Sequence, residues 1–276
     1  MPEQLWLSSA LAARRQCLRA LGAVPLWAWG AAQAQAQAQP SNAVAQRIVA
    51  LGGSLTEVVY ALGAEGRLVG TDTTSVQPPA ALKTAKVGYM RQLSAEGLLS
   101  LRPDAVLGTH EAGPAVVLEQ VRSAGVQVEL VQADHSWQEV QRKLQLVGRM
   151  TGRSAAAQTL QARLDGEWAQ TQQQVARAVQ RPRALFILAH SGSPMVAGTH
   201  TAADALIRFA GGVNVAASFE GYKPLTAEAM ASAAPQVLIN TSQGMETQSG
   251  AAAFWQRPEL ALTPAYRRRA LVAMEA

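Results

Sequence analysis

The chain has 276 residues, 49% of them hydrophobic, with a formal net charge of +5, enough for two modest domains with packed cores. That charge is too small to argue for nucleic acid, and part of it comes from Arg14, Arg15 and Arg19, which face only Glu3 within the first 38 residues. The single cysteine, Cys17, lies in the same segment, so the rest of the chain carries no disulfide, thiol chemistry or cysteine metal cluster.

Residues 1–38 read as a signal peptide. The arginines precede an apolar run, "ALGAVPLWAWGAA", and then "AQAQAQA", which offers A-x-A cleavage sites. The stretch "ARRQCLRALG" has the twin-arginine look of the folded-protein export route. A membrane anchor is disfavoured because the apolar run falls short of the roughly 20 residues that span a bilayer. "ARRQ" ahead of Cys17 lacks the small apolar residues of a lipoprotein site.

Short apolar strands then alternate with helices. In residues 39–150, "RIVALG", "RLVGTD", "AVLGT" and "VQVELVQ" read as strands, with helices over "LTEVVYALGA", "SAEGLLSLR" and "AVVLEQVRSAG". Residues 182–276 repeat the grammar with "ALFILAH", "AADALIRFAGG", "TAEAMASAA" and "VLIN". The expectation is an α/β protein of two Rossmann-like lobes, each a mostly parallel sheet flanked by helices. Between them, residues 151–181 carry an apolar stripe at Leu160, Leu164, Trp168, Val175 and Val179 up to Pro182, which predicts one long interlobe helix that limits lobe motion.

The halves are related in detail. "LSAEGLLSLRPDAVLGT" (93–109) over "LTAEAMASAAPQVLINT" (225–241) gives six identities in 17 ungapped positions. A weaker pairing sets "VALGGSLTEVVYALGAEGRLVG" from residue 49 against "MVAGTHTAADALIRFAGGVNVA" from residue 195. Just ahead of the stronger repeat each half has a Gly-Tyr, at Tyr89 and Tyr222.

Ligands of parallel sheets bind beyond the carboxyl ends of the strands, so the loops "GGSLT", "GYMRQ", "GTHEAGP", "AHSGSPM", "GTHTA", "EGYKP" and "TSQGMETQSG" are expected to line one cleft. Ser94 and Thr226 are expected N-caps. Glu96 and Glu228 then fall in the first turn of their helices, where a carboxylate complements the helix dipole; as a matched pair they also suit a symmetric basic partner. Tyr89 and Tyr222 are either cleft-edge packing residues or ligand contacts. A phenolate is a hard donor for ferric iron and a known haem ligand, and Arg91, two residues beyond Tyr89, would favour ionisation of a group whose ordinary pKa is about 10. His110, His190 and His200 fall in cleft loops without zinc spacing, His190 being placed best for an opposing haem contact. No G-x-S-x-G elbow or complete phosphate loop appears, and an enzyme using a cleft histidine with Glu111 or Asp134 has no support from spacing.

From about Arg47 onward the chain resembles the periplasmic haem-binding proteins that deliver haem to bacterial ABC importers, within the solute-binding proteins that have a rigid interlobe helix. "GYMRQLSAEGLLSLRPD", "HEAGP", "PMVAG", "TAADALI" and "YKPLTAEAM" carry the likeness. The resemblance implies haem as transported ligand, Tyr89 as axial iron ligand, Arg91 as a propionate contact, contributions from His190 and Tyr222, and Glu96 and Glu228 as docking carboxylates for the importer permease. It also implies a haem donor upstream. Cobalamin or ferric siderophore carriage is the alternative within the same architecture. Two departures stand out: relatives continue beyond the "VAM" near Ala276, so a final helix is expected to be missing, and "TSQGMETQSG" lacks the arginine some relatives set against a propionate.

Overall fold

The computed structural model describes residues 44–188, 194–247 and 250–274. Its first sheet holds β1 (Ile48–Ala50), β2 (Leu68–Thr71), β3 (Ala105–Thr109) and β4 (Gln127–Val131), all parallel, in the order β2-β1-β3-β4. The helices are α1 (Gly53–Ala61), α2 (Ala95–Ser100), α3 (Ala115–Ser123) and α4 (Trp137–Met150). Successive strand residues face opposite layers. Ile48 and Leu107 pack with Leu55, Val59 and Val147, while Val49 and Val106 pack with Leu98, Leu118 and Val121. Burial on both faces explains why these strands read as continuous apolar runs.

The chain then enters α5 (Ser154–Arg177), 24 residues long, which is about 36 Å at 1.5 Å per residue. Its half-buried stripe is Leu160, Leu164, Trp168 and Val175. Trp168 is stacked on Trp137 of α4, with ring centroids 4.7 Å apart, and meets the edge of Phe209 at 4.8 Å. Asp165 accepts from Trp137 Nε1 (2.7 Å) and Gln141 Nε2 (2.8 Å). The stripe expected to reach Val179 stops earlier. Ala178 is already extended, and Val179 stands 97% exposed because no surface lies beneath it.

The second lobe comprises β5 (Arg183–Leu188), β6 (Met195–Ala197), α6 (Ala202–Phe209), β7 (Val213–Asn214), β8 (Tyr222–Pro224), α7 (Ala227–Ala233), β9 (Val237–Thr241), α8 (Ser242–Thr247), α9 (Gly250–Trp255), α10 (Pro264–Arg268) and β10 (Leu271–Met274). Its sheet runs β10-β9-β5-β6-β8, with β7 also paired to β5. β10, β9 and β7 join β5 in a parallel set, whereas β6 and β8 are antiparallel. Phe186 and Ile207 pack on one face; Ile187, Met230, Phe254 and Leu260 pack on the other. Residues 242–247, expected as cleft loop, are helical because Thr241 Oγ1 accepts from the Gly244 amide (2.9 Å) and caps the turn.

The parallel order β10-β9-β5-β7 repeats β4-β3-β1-β2. Hydrogen bonds fix the correspondence. Arg47, ahead of β1, donates to the Leu101 carbonyl (2.6 Å) and its amide bonds the Asp104 carboxylate (3.0 Å). Arg183 donates to the Ala233 carbonyl (2.8 Å), and its amide bonds the Gln236 side chain (3.0 Å). Arg102 and Ala234 occupy the same left-handed turn, with φ of 45° and 42°. The repeat at 93–109 and 225–241 therefore coincides element for element. The weaker pairing does not: the counterpart of β1 is β5, and residues 195–197, which the sequence sets opposite β1, form the antiparallel strand β6. The alignment missed this because β6 is an apolar strand ahead of a helix, just as β1 is.

Candidate functional site

Tyr89 stands on the loop between β2 and α2. Gly88, just ahead of it, has φ of 97°, a conformation that favours glycine. Met90 and Leu93 are then drawn into the core under the sheet, and backbone bonds Gly113 N to Met90 O (2.9 Å) and Leu93 N to Gly113 O (3.0 Å) pin the loop to the one after β3. With Met90 and Leu93 facing inward, Tyr89 and Arg91 are left facing out, Tyr89 38% exposed. Arg91 Nη1 donates to Tyr89 Oη at 3.1 Å, and Arg91 Nη2 pairs with Glu111 Oε1 at 2.6 Å. Burial works against the Arg91 charge, but the Glu111 bond and charge, aided by Tyr89, hold its pKa above the ordinary guanidinium value.

Tyr222 lies on β8, an edge strand of three exposed residues paired to β6. Gly221 precedes it with φ of 72°, matching Gly88. Burial pushes the Tyr222 phenol up; the charge of Arg91 draws it down and that of Glu111 raises it. The second-lobe tyrosine therefore lies within the field of the first-lobe pair.

Between the lobes is a cavity of about 800 Å³. Its walls include Glu111 and residues 132–135 from one lobe and His200, Asp204, Arg208 and Asn214 from the other. The cavity shares Glu111 with the tyrosine cluster, although Tyr89 itself is outside the lining. His110 is exposed, and His200 Nδ1 lies 3.4 Å from Glu220 Oε1 on the surface. His190 lies outside the described residues. Glu111 and Asp134 are each held by an arginine, Arg91 and Arg142, at 2.6 Å. Among the described residues no group of three or more His, Cys, Asp or Glu side chains is arranged to hold a metal ion.

Ser94 Oγ accepts from Gly97 N (3.0 Å) and Thr226 Oγ1 from Ala229 N (3.2 Å), so both expected caps form. Glu96 and Glu228 are exposed in the first turns of α2 and α7. Sequence reasoning gave no ligand role to Glu111 or Arg208. The signal for Glu111 was its place in the loop after β3, and for Arg208 its i, i+4 spacing from Asp204.

A family model described as periplasmic binding protein matches residues 48–276. The solved structure of the periplasmic heme-binding protein BhuT in complex with two hemes is 43% identical, with a TM-score of 0.78 over 85% of this chain and 90% of that one. The periplasmic heme-binding protein RhuT from Roseiflexus sp. RS-1, in apo form, is 37% identical, with a TM-score of 0.76 over 83% and 89% of the two chains. The cobalamin-binding protein of Halobacterium salinarum is 31% identical over 204 residues, 70% of this chain and 53% of that protein. The chain spans between about half and two thirds of the length of such curated relatives. With one parallel and one mixed sheet, a single connecting helix and a family match across nearly the whole described chain, it belongs to the periplasmic binding protein family.

Proposed function

We propose that this protein captures haem in the cleft between its lobes and hands it to an ABC importer. The observation that carries this reading is the Tyr89 phenol, exposed at the sheet edge with the Arg91 guanidinium 3.1 Å from its oxygen. That contact fixes the direction of the phenol oxygen, and a tyrosine oxygen is a ligand for ferric haem iron. The site therefore suits the group chemically. Support also comes from the heme-binding proteins BhuT and RhuT, similar over most of their length.

In this reading Tyr89 ligates iron, Arg91 stabilises that ligand and contacts the haem, and Tyr222 contacts it from the second lobe, with His190 as a further contact. Glu96 and Glu228, one per lobe on matching helix turns, dock with arginines of the permease. The family is one of exported binding proteins; residues 1–38 act as signal peptide, of twin-arginine type, and the mature protein works in the periplasm, where an upstream donor supplies haem. Residues 39–150 and 182–276 serve as the two lobes, with 151–181 as interlobe segment.

Hemin titration of the purified protein tests the assignment. A shifted Soret band with the charge-transfer feature of high-spin tyrosine ligation is expected, and Tyr89→Ala should remove it. An unchanged spectrum in that variant overturns the ligand assignment. The cobalamin-binding relative favours a second reading, cobalamin carriage. Saturable binding of cyanocobalamin without hemin binding would select it.

A further inference from the structure

We infer that Arg208 is the carboxylate anchor of the cleft, so that the ligand is selected for an acidic side chain on its rim as well as for its metal; this rests on the haem reading above. Arg208 lies at the end of α6 on the wall of the interlobe cavity. Its Nε donates to Asp204 Oδ2 at 3.0 Å. Asp204 is buried, and its other oxygen accepts from Asn214 Nδ2 at 2.9 Å. Asn214 is itself fixed, donating to the Ala197 carbonyl (3.1 Å) and accepting from the Ala216 amide (3.0 Å). A buried network thus sets the guanidinium through Nε alone. Both Nη groups are left without a hydrogen bond among the described residues, on a side chain 58% exposed.

The other charges around the cavity are already engaged. Glu111 is taken by Arg91 and Asp134 by Arg142. Arg91 already gives one N–H of each Nη to Tyr89 and Glu111. An incoming carboxylate therefore meets free, oriented arginine donors on the second lobe at Arg208. Two parallel N–H groups match the two oxygens of a carboxylate. The propionates of haem fit that demand, and the side-chain amides on the rim of cobalamin do not, because an amide offers one acceptor oxygen and turns a donor toward the cation. Arg208 would supply the basic residue that the segment after β9 lacks.

The test is titration of the full chain and its Arg208→Gln and Arg208→Lys variants with hemin and with hemin dimethyl ester, whose carboxylates are masked. Arg208→Gln should weaken hemin binding by about 10- to 100-fold, the scale of a charged hydrogen-bond pair, and leave ester binding unchanged; Arg208→Lys should keep part of the preference for hemin. Equal affinity of the unaltered chain for hemin and ester, an unchanged hemin affinity in Arg208→Gln, or equal losses for both ligands would overturn the inference. If Arg208→Gln fails the thermal unfolding control, the hemin-to-ester ratio in Arg208→Lys decides: a ratio equal to that of the unaltered chain counts against it. Failure of the unaltered chain to bind either porphyrin is a separate result, which overturns the haem reading itself.

Discussion

Replacing Glu139 by alanine should destabilise the protein by about 3 to 5 kcal/mol, the cost of removing one partner from a buried ion pair. Glu139 is 6% exposed. Its Oε1 lies 2.5 Å from Lys143 Nζ, and its Oε2 accepts the amides of Asp134 (2.8 Å) and His135 (2.7 Å). Each bond to a charged group is worth about 1.5 to 3 kcal/mol, but bonds sharing one carboxylate do not add, which keeps the expected loss inside the range for a broken pair. Lys143, 8% exposed, would retain the hydrogen bond to Ser54 Oγ at 2.8 Å and the more distant charge of Glu57. Urea unfolding followed by tryptophan fluorescence gives the measurement, read as a fall in midpoint at constant slope. The double variant Glu139→Ala/Lys143→Met should recover much of the loss, since it buries no unpaired charge. A loss below about 1 kcal/mol, or a double variant no better than the single, would refute the reasoning. The pH dependence has a definite sign. Burial alone would raise the Glu139 carboxyl, but Lys143 and the two amides outweigh it and hold it below its ordinary 4.5. A group depressed on folding stabilises fully above its unfolded value, and that stabilisation is lost as pH falls through the folded one. The gap between wild type and Glu139→Ala should therefore narrow as pH drops below about 4.5.

Gly198→Ala should lower the thermal midpoint, because the added Cβ would sit 2.2 Å from the Phe219 carbonyl oxygen; overpacking of about 1 to 3 kcal/mol corresponds to roughly 2 to 12 °C at this size. An unchanged midpoint would mean that the backbone just after β6 does not approach the backbone just before β8 so closely. Glu96→Lys and Glu228→Lys should leave the hemin titration unchanged while reducing haem uptake by vesicles carrying the cognate permease, the effect growing at low ionic strength. Loss of binding in either variant, or normal uptake in both, would remove the docking role.

What the sequence revealed depended on whether a signal was local. β3 and α3 begin where their apolar runs do, because Pro103 and Pro114 interrupt the chain just ahead of each. Ser94, Thr226 and the first-turn glutamates were readable for the same reason: capping needs only three or four residues. The Gly-Tyr pair was legible as a repeat, yet the partner of Arg91 was not. Glu111 meets Arg91 across twenty residues, through a loop pinned by the Gly113 and Met90 backbone, and no spacing rule reports that. Arg208 was hidden differently. Its pairing with Asp204 follows from helical spacing, but which of its nitrogens stay free depends on Asn214 and on the opposite wall of the cavity. The misplaced counterpart of β1 has a third cause, since an inserted antiparallel strand imitates a parallel one in composition.

That insertion makes two similar lobes chemically unequal. In the first lobe the Gly-Tyr segment is tied down at once by the buried Met90 and Leu93, and it holds its own cation, Arg91 Nη1, against Tyr89 Oη. In the second lobe the equivalent segment became β8, an edge strand exposed along all three residues, whose lysine turns away to lie over the Phe219 ring at 4.7 Å. Among the described residues Tyr222 has no cation hydrogen-bonded to it; burial pushes its phenol up, against the pull of the Arg91 charge. In the proposed reading, one repeat would supply the iron ligand and the other a contact across the gap. Because α5 packs on α4 through Trp137 and on α6 through Phe209, the distance between them is held by aromatic contacts on both lobes. Selectivity would then reside in the chemistry of the cleft walls more than in closure around the ligand.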